Sequence, residues 1–205
     1  IYGLSPASKC LQLFSYAFDG YVTAFFTPLI SGAPVVLSDK EEIGDIEKIK
    51  ELIEKHRVTH FISVPSLYTA LLEGVTGEEI ASLKAVTLAG ESLRSEVLEA
   101  TAAKSSVLEI VNEYGVTEGS VMSSYYRHQE RDRAIRIGRP IRNTSIYILD
   151  EGQRLQPVGV AGEICLTGIG LARGYLNNPE MTFKRFMTLA TDGTESNQKL
   201  LRGVQ

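Results

Sequence analysis

Three short segments carry residue types suited to a nucleotide and a divalent cation. The run Asn112-Glu113-Tyr114-Gly115-Val116-Thr117-Glu118 offers an aromatic ring, a hydroxyl and a carboxylate in close succession. Tyr114 presents a flat face to a base, Thr117 a hydroxyl to a phosphate, and Glu118 a hard oxygen to Mg²⁺. Leu88-Ala89-Gly90-Glu91 and Ser63-Val64-Pro65-Ser66 add further small and polar residues. Gly90 and Gly115 lack a Cβ, so a ligand can approach their backbone closely. The same residue types also serve ordinary turns, and neither a P-loop nor a GxGxxG run is present. On residue types alone, both the nucleotide reading and the turn reading stand.

The elements that must position these segments are legible from periodicity. Pro34–Ser38 is a near-continuous apolar run, as a buried parallel strand should be. Asp45 caps a helix running to about His56, with Ile46, Ile49, Leu52 and Ile53 on one face. Val58–Ser63, Ala85–Ala89 and Val107–Val111 read as further strands, and Ser66–Leu72 and Arg94–Ala103 as helices. Repeated strand–helix–strand units imply a parallel, flavodoxin-like α/β sheet flanked by helices. In such a sheet ligands bind outside the carboxyl ends of the strands, where all three segments fall. After about Ile135 the pattern changes. Thr144–Leu149 and Gly162–Thr167 alternate as half-buried antiparallel strands, separated by turn signals at Asp150-Glu151-Gly152 and Pro157-Val158-Gly159. We therefore expect an α/β subdomain over 1–139 and the start of a β-rich subdomain over 140–205. The tail Ala190–Gln205 is polar with no clear pattern.

Composition narrows the function class. With 43% hydrophobic and 22% charged residues, the 205-residue chain has the make-up of an ordinary globular protein. A net charge of −4 and the lack of any basic block argue against a nucleic-acid or anionic-membrane surface. No apolar run has the length of a membrane span and no signal-peptide pattern opens the chain, so a cytoplasmic protein is expected. The first residue is Ile1 rather than Met, which suggests a piece of something longer. Cys10 and Cys165 form no CxxC pair and read as reduced structural residues. His56, His60 and His128 form no ligand cluster.

Four segments together resemble the motifs of adenylate-forming enzymes. Phe18-Asp19-Gly20 leading into Pro28-Leu29 and Gly32-Ala33 is similar to FDxS…PLxxGA, and Leu88-Ala89-Gly90-Glu91-Ser92-Leu93 to GGExL, with Ala89 for the first Gly. Asn112–Glu118 resembles NxYGPTE, with Val116 where Pro is usual. Gly162–Leu166, Gly168–Leu176 and Pro179–Thr182 look like GELxIxGxGLARGYxxxPExT, a form that points to the adenylation domains of nonribosomal peptide synthetases. The four occur in family order over about residues 10–187.

The resemblance implies an ATP- and Mg²⁺-dependent ligase in the parent protein, of the kind used in antibiotic biosynthesis. An amino-acid carboxylate attacks the α-phosphate of ATP, giving an aminoacyl adenylate and pyrophosphate. The phosphopantetheine thiol of a peptidyl carrier protein then takes the acyl group. Matching motif positions implies that Tyr114 stacks on adenine, Thr117 contacts the α-phosphate and Glu118 holds Mg²⁺. Gly90, Glu91, Asn112 and Gly115 complete the nucleotide site. The family's Lys-bearing phosphate loop, its YRTGD motif and its mobile lobe with a catalytic Lys are not found in these residues, Lys199–Gln205 standing where YRTGD should come. The isolated chain is therefore expected to be inactive.

The family reads its amino acid through about ten positions, nine of which map to Asp19, Gly20, Thr23, Ser63, Thr87, Ala89, Glu113, Val121 and Met122. Asp19 matches the carboxylate that pairs with the substrate α-ammonium, a charge-assisted hydrogen bond. Gly20, Thr23, Ser63 and Ala89 are small, so the pocket is deep, and Glu113 sets one acidic acceptor within it. Such a pocket suits a phenol hydroxyl, or else a basic side chain. The string resembles a tyrosine signature, departing at Ser63 and at Met122, which narrows the pocket. Two alternatives remain: a specificity-determining subdomain without catalysis, excised or engineered, and a fragment of an acyl- or aryl-CoA ligase, which Asp19 and the LARGY form disfavour.

Overall fold

A computed structural model describes residues 2–128, 134–189 and 198–203. These fall into two compact units, one formed by residues 1–114 with 125–138, the other by residues 115–124 with 139–205. Segment 115–124 thus belongs with the second unit although it follows directly on a strand of the first.

The first unit alternates β1 (Cys10–Gln12), α1 (Gly20–Ile30), β2 (Val35–Leu37), α2 (Ile46–His56), β3 (His60–Ser63), α3 (Pro65–Gly74), β4 (Ala85–Leu88), α4 (Ser95–Lys104), β5 (Glu109–Tyr114) and β6 (Ser124–His128). Its strands lie in the order β2-β1-β3-β4-β5-β6, and neighbouring strands from β2 through β5 pair in parallel. The expected α/β sheet is present, and β1, α1 and β6 add to the elements read from sequence. α2 forms for the reason its sequence gives. Asp45 Oδ1 accepts from the amides of Glu47 and Lys48, and Ile49, Leu52 and Ile53 are buried. Arg57 ends the helix in the left-handed region, after Lys55 and His56 have placed basic groups in its last turn. All four residues of β4 are buried, as a central parallel strand requires. The core runs between sheet and helices through Leu11, Ile53, Phe61, Tyr68, Val86 and Leu88, among others. Tyr68 keeps its hydroxyl satisfied there by Thr101 Oγ1 at 3.1 Å.

The second unit holds a short 3₁₀ turn at Thr117–Gly119, β7 (Arg139–Pro140), β8 (Thr144–Leu149), β9 (Glu163–Gly168), α5 (Pro179–Arg185), β10 (Phe186–Leu189) and β11 (Gln198–Leu201). Its antiparallel sheet has the order β10-β11-β9-β8, with Thr144 opposite Gly168 and Leu149 opposite Glu163. Part of the tail that reads as patternless is ordered, because Leu200 and Leu201 are buried and β11 pairs with β10 over its whole length. Residues 190–197 and 204–205 of that tail lie outside the described residues. Cys10 and Cys165 are both free buried thiols, and burial pushes each up to about 11, away from reactivity. Among the described residues no helix is long and apolar enough to cross a membrane, and no group of three or more His, Cys, Asp and Glu could hold a metal.

Candidate active site

In the first unit the amino-acid positions gather at the carboxyl ends of the strands and the start of α1. Ser63 ends β3, Thr87 lies in β4, Ala89 follows β4, and Glu113 is the penultimate residue of β5. Ser63, Thr87 and Glu113 are all buried. The Ala89 amide donates to the Ser63 carbonyl at 3.0 Å, so these two positions are held side by side. Asp19 stands at the N-cap of α1, where its side chain makes no cap bond. A Cβ on Gly20 would lie 2.9 Å from the Phe14 ring, which would have to shift to admit it. Thr23, one turn into α1, lines a cavity with Tyr2, Thr27, Ile62 and Thr87. With Tyr2 in place the space left is about 20 Å³, room for roughly one water.

Glu113 is the electrostatic centre of this group. Its Oε2 accepts the Tyr2 phenol at 2.6 Å. Burial pushes its carboxyl above the usual range; the Tyr2 bond pulls the other way, and the negative charge of Asp19 raises it further. The Tyr2 phenol is itself held far up, first by burial and then by Glu113. Sequence reasoning did not single out Tyr2, and no signal in its neighbourhood marks it.

The nucleotide positions divide between the two units. Gly90 adopts a left-handed φ of +83°, and a Cβ there would contact Val64. The exposed Glu91 accepts from Ser66 N at 3.0 Å and Ser66 Oγ at 2.8 Å, closing the first turn of α3. Buried Asn112 donates from Nδ2 to the Arg136 carbonyl at 2.8 Å, a tie within the first unit. Tyr114 is half-buried, which raises its phenol. In the second unit a Cβ on Gly115 would lie 1.8 Å from the Val121 carbonyl oxygen, so only glycine fits. Val116 to Val121 turn tightly: the Gly119 and Val121 amides both donate to the Val116 carbonyl, at 2.9 and 3.2 Å. Ser120 and Val121 take positive φ, uncommon for Ser and strained for a β-branched residue, and Met122 follows them half-buried. This turn leaves Thr117 exposed and Glu118 half-exposed.

Glu118 is bound to the loop after β9. Its carbonyl accepts from the Ala172 amide at 2.8 Å, and its Oε1 accepts the Tyr175 phenol. Ala172 and Tyr175 lie in the LARGY run, whose sequence marked a family but carried no assigned chemistry.

The profile of the AMP-binding enzyme family matches residues 2–176. The chain belongs to the AMP-binding enzymes. Among curated relatives of this family member, tyrocidine synthase 3 of Brevibacillus parabrevis is 46% identical over 186 residues, 91% of this chain and 3% of that protein. Gramicidin S synthase 2 of Aneurinibacillus migulanus is 42% identical over 91% of this chain and 4% of its own length. The chain thus spans a small fraction of the relatives it matches. Among solved structures, the nonribosomal peptide synthetase FmoA3 in its α-methyl-L-serine-AMP-bound form superposes with a TM-score of 0.87 at 30% identity, over 98% of this chain and 23% of that one.

Proposed function

We propose that this AMP-binding chain is part of an adenylation domain of a nonribosomal peptide synthetase, selecting tyrosine, and that it is inactive alone. The observation that carries the substrate reading is the phenol of Tyr2 on the buried carboxylate of Glu113, at 2.6 Å. A tyrosine substrate would form the same donor–acceptor pair by displacing the Tyr2 side chain from Glu113. In this reading Asp19 binds the α-ammonium, Glu113 accepts the phenol, and Gly20, Thr23, Ser63, Thr87, Ala89, Val121 and Met122 shape the pocket. Tyr114 stacks on adenine, with Gly90, Glu91, Asn112 and Gly115 beside the nucleotide. The tyrosine carboxylate oxygen bonds to the α-phosphorus of ATP as the bond to pyrophosphate breaks. Thr117 steadies an α-phosphate oxygen. The phosphopantetheine thiol of a peptidyl carrier protein then takes the acyl group as a thioester, the acyl–phosphate bond breaking to release AMP.

Glu118 is the residue that would hold Mg²⁺. One hard carboxylate beside a hydroxyl suits an ion that keeps several waters and takes its other ligands from phosphates, and among the described residues no closed multi-carboxylate cage competes. When bound, Mg²⁺ neutralises phosphate charge; positioning is left to the protein.

The test is amino-acid-dependent ATP–pyrophosphate exchange by the complete adenylation domain across a panel of amino acids. Tyrosine should exceed phenylalanine by about 10- to 100-fold in kcat/KM, the worth of a hydrogen bond to an ionised acceptor. Glu113→Gln should keep much of that preference and Glu113→Ala should erase it. A preference for lysine or ornithine, abolished by Glu113→Gln, would replace tyrosine with a basic substrate. An unchanged tyrosine-to-phenylalanine ratio in both variants would remove Glu113 from the pocket.

A further inference from the structure

The loop after β9 is held more firmly than a surface connection needs to be. Gly174 has φ +150° and packs so closely on α5 that a Cβ would lie 2.5 Å from Thr182 Cγ2. Thr182 Oγ1 accepts from the Tyr175 amide at 2.8 Å. Lys199 Nζ donates to the Ala172 and Arg173 carbonyls at 2.9 and 2.7 Å, while sitting 4.4 Å over the Phe186 ring. Phe186 in turn meets the Tyr175 ring edge-on, with centroids 5.9 Å apart. Tyr175 is therefore fixed along its backbone and its ring before its hydroxyl is considered. That hydroxyl donates to Oε1 of Glu118, whose backbone is already pinned by the Ala172 amide.

The backbone contact suffices to attach the turn to the loop. What the phenol adds is a constraint on the direction of one carboxylate. We propose that Tyr175 is a positioning residue for metal binding, aiming the Glu118 carboxylate so that its remaining lone pairs face a divalent cation. The proposal rests on the reading of Glu118 as the Mg²⁺ ligand. Partners that orient a ligating carboxylate typically change metal affinity by about 10- to 100-fold when removed.

The test uses the complete adenylation domain with ATP bound, titrated with Mn²⁺ and read by electron paramagnetic resonance, alongside the Mg²⁺ dependence of pyrophosphate exchange. Tyr175→Phe keeps the ring against Phe186 and removes only the hydroxyl. It should weaken Mn²⁺ binding on the order of 10-fold, and exchange should recover at high Mg²⁺ with the amino-acid KM unchanged. Thr182→Val loosens the same loop without touching the phenol and should leave the Mn²⁺ affinity as it was. Equal weakening in both variants would make Tyr175 a purely structural tie and overturn the proposal. Unchanged Mn²⁺ affinity in Tyr175→Phe, with weakened binding in Glu118→Gln, would overturn it while sparing the metal assignment of Glu118. Unchanged affinity in Glu118→Gln would overturn that assignment itself.

Discussion

Tyr2 Oη lies 2.6 Å from Glu113 Oε2, a hydrogen bond between residues 111 positions apart in sequence. The carboxylate it reaches is buried near the end of β5, so losing the phenol would take a donor from a buried charge. This one contact joins the stability of the first unit to the chemistry proposed for its pocket.

Stability should fall as pH rises through the titration of Glu113. Burial keeps its proton on longer in the folded chain than at the ordinary 4.5 of an unfolded one, so above that value the unfolded state binds fewer protons. Stability from this group is full below pH 4.5 and is lost as pH climbs to the raised folded value. Glu113→Gln removes the titrating group and with it this pH dependence. Denaturant unfolding from about pH 5 to 8 should show a steeper loss in the wild type than in the variant; parallel profiles would mean that Glu113 titrates normally.

Tyr2→Phe deletes the bond that holds the Glu113 carboxyl down, so its titration should move further up. Carboxyl carbon chemical shifts followed against pH would register the change directly. The variant should also lose about 1.5–3 kcal/mol of unfolding free energy, as expected for a bond to an ionised partner.

Asp19→Ala separates binding from folding. The melting temperature reads the folding cost of the variant apart from its effect on the substrate. In the complete adenylation domain the α-ammonium would be left buried without a partner, costing about 2–5 kcal/mol, or about 30-fold and upward in kcat/KM. ATP affinity should be preserved. A loss below about threefold would show that Asp19 does not face the substrate.

Gly115→Ala tests the turn that carries Thr117 and Glu118. The added methyl would meet the Val121 carbonyl oxygen at 1.8 Å, backbone that cannot swing aside like a side chain. Overpacking of this kind costs about 1–3 kcal/mol or more. Hydrogen exchange should accelerate in residues 115–124, and the metal dependence of exchange activity should deteriorate with it.

Most of the parallel sheet was legible because its signals are local. Asp45 followed by Ile46, Ile49, Leu52 and Ile53 defines a capped amphipathic helix with no help from the rest of the chain, and the short apolar run from Ala85 reads as the buried strand that forms over Ala85–Leu88. The carboxyl-end location of Ser63, Ala89 and Glu113 follows from that alternation. By contrast, α1 is mostly apolar, broken only by Thr23 and Thr27, and carries an internal Pro28, so periodicity does not announce it. β11 is set by pairing with β10, a contact between residues whose own polar neighbourhood says nothing of it.

Residue types, caps and short-range periodicity are properties of neighbouring positions, so the chain alone marked candidate residues and the strand ends near which they stand. Only the tertiary structure decided what those residues touch. It put the Tyr2 phenol on Glu113, spent Glu91 on the first turn of α3, and gave Glu118 the hydroxyl of Tyr175. Each of these bonds closes over 25 or more residues, and its donor reaches its acceptor only after sheets and helices have packed. Side-chain direction at such range follows from the packing of the whole unit rather than from any local spacing.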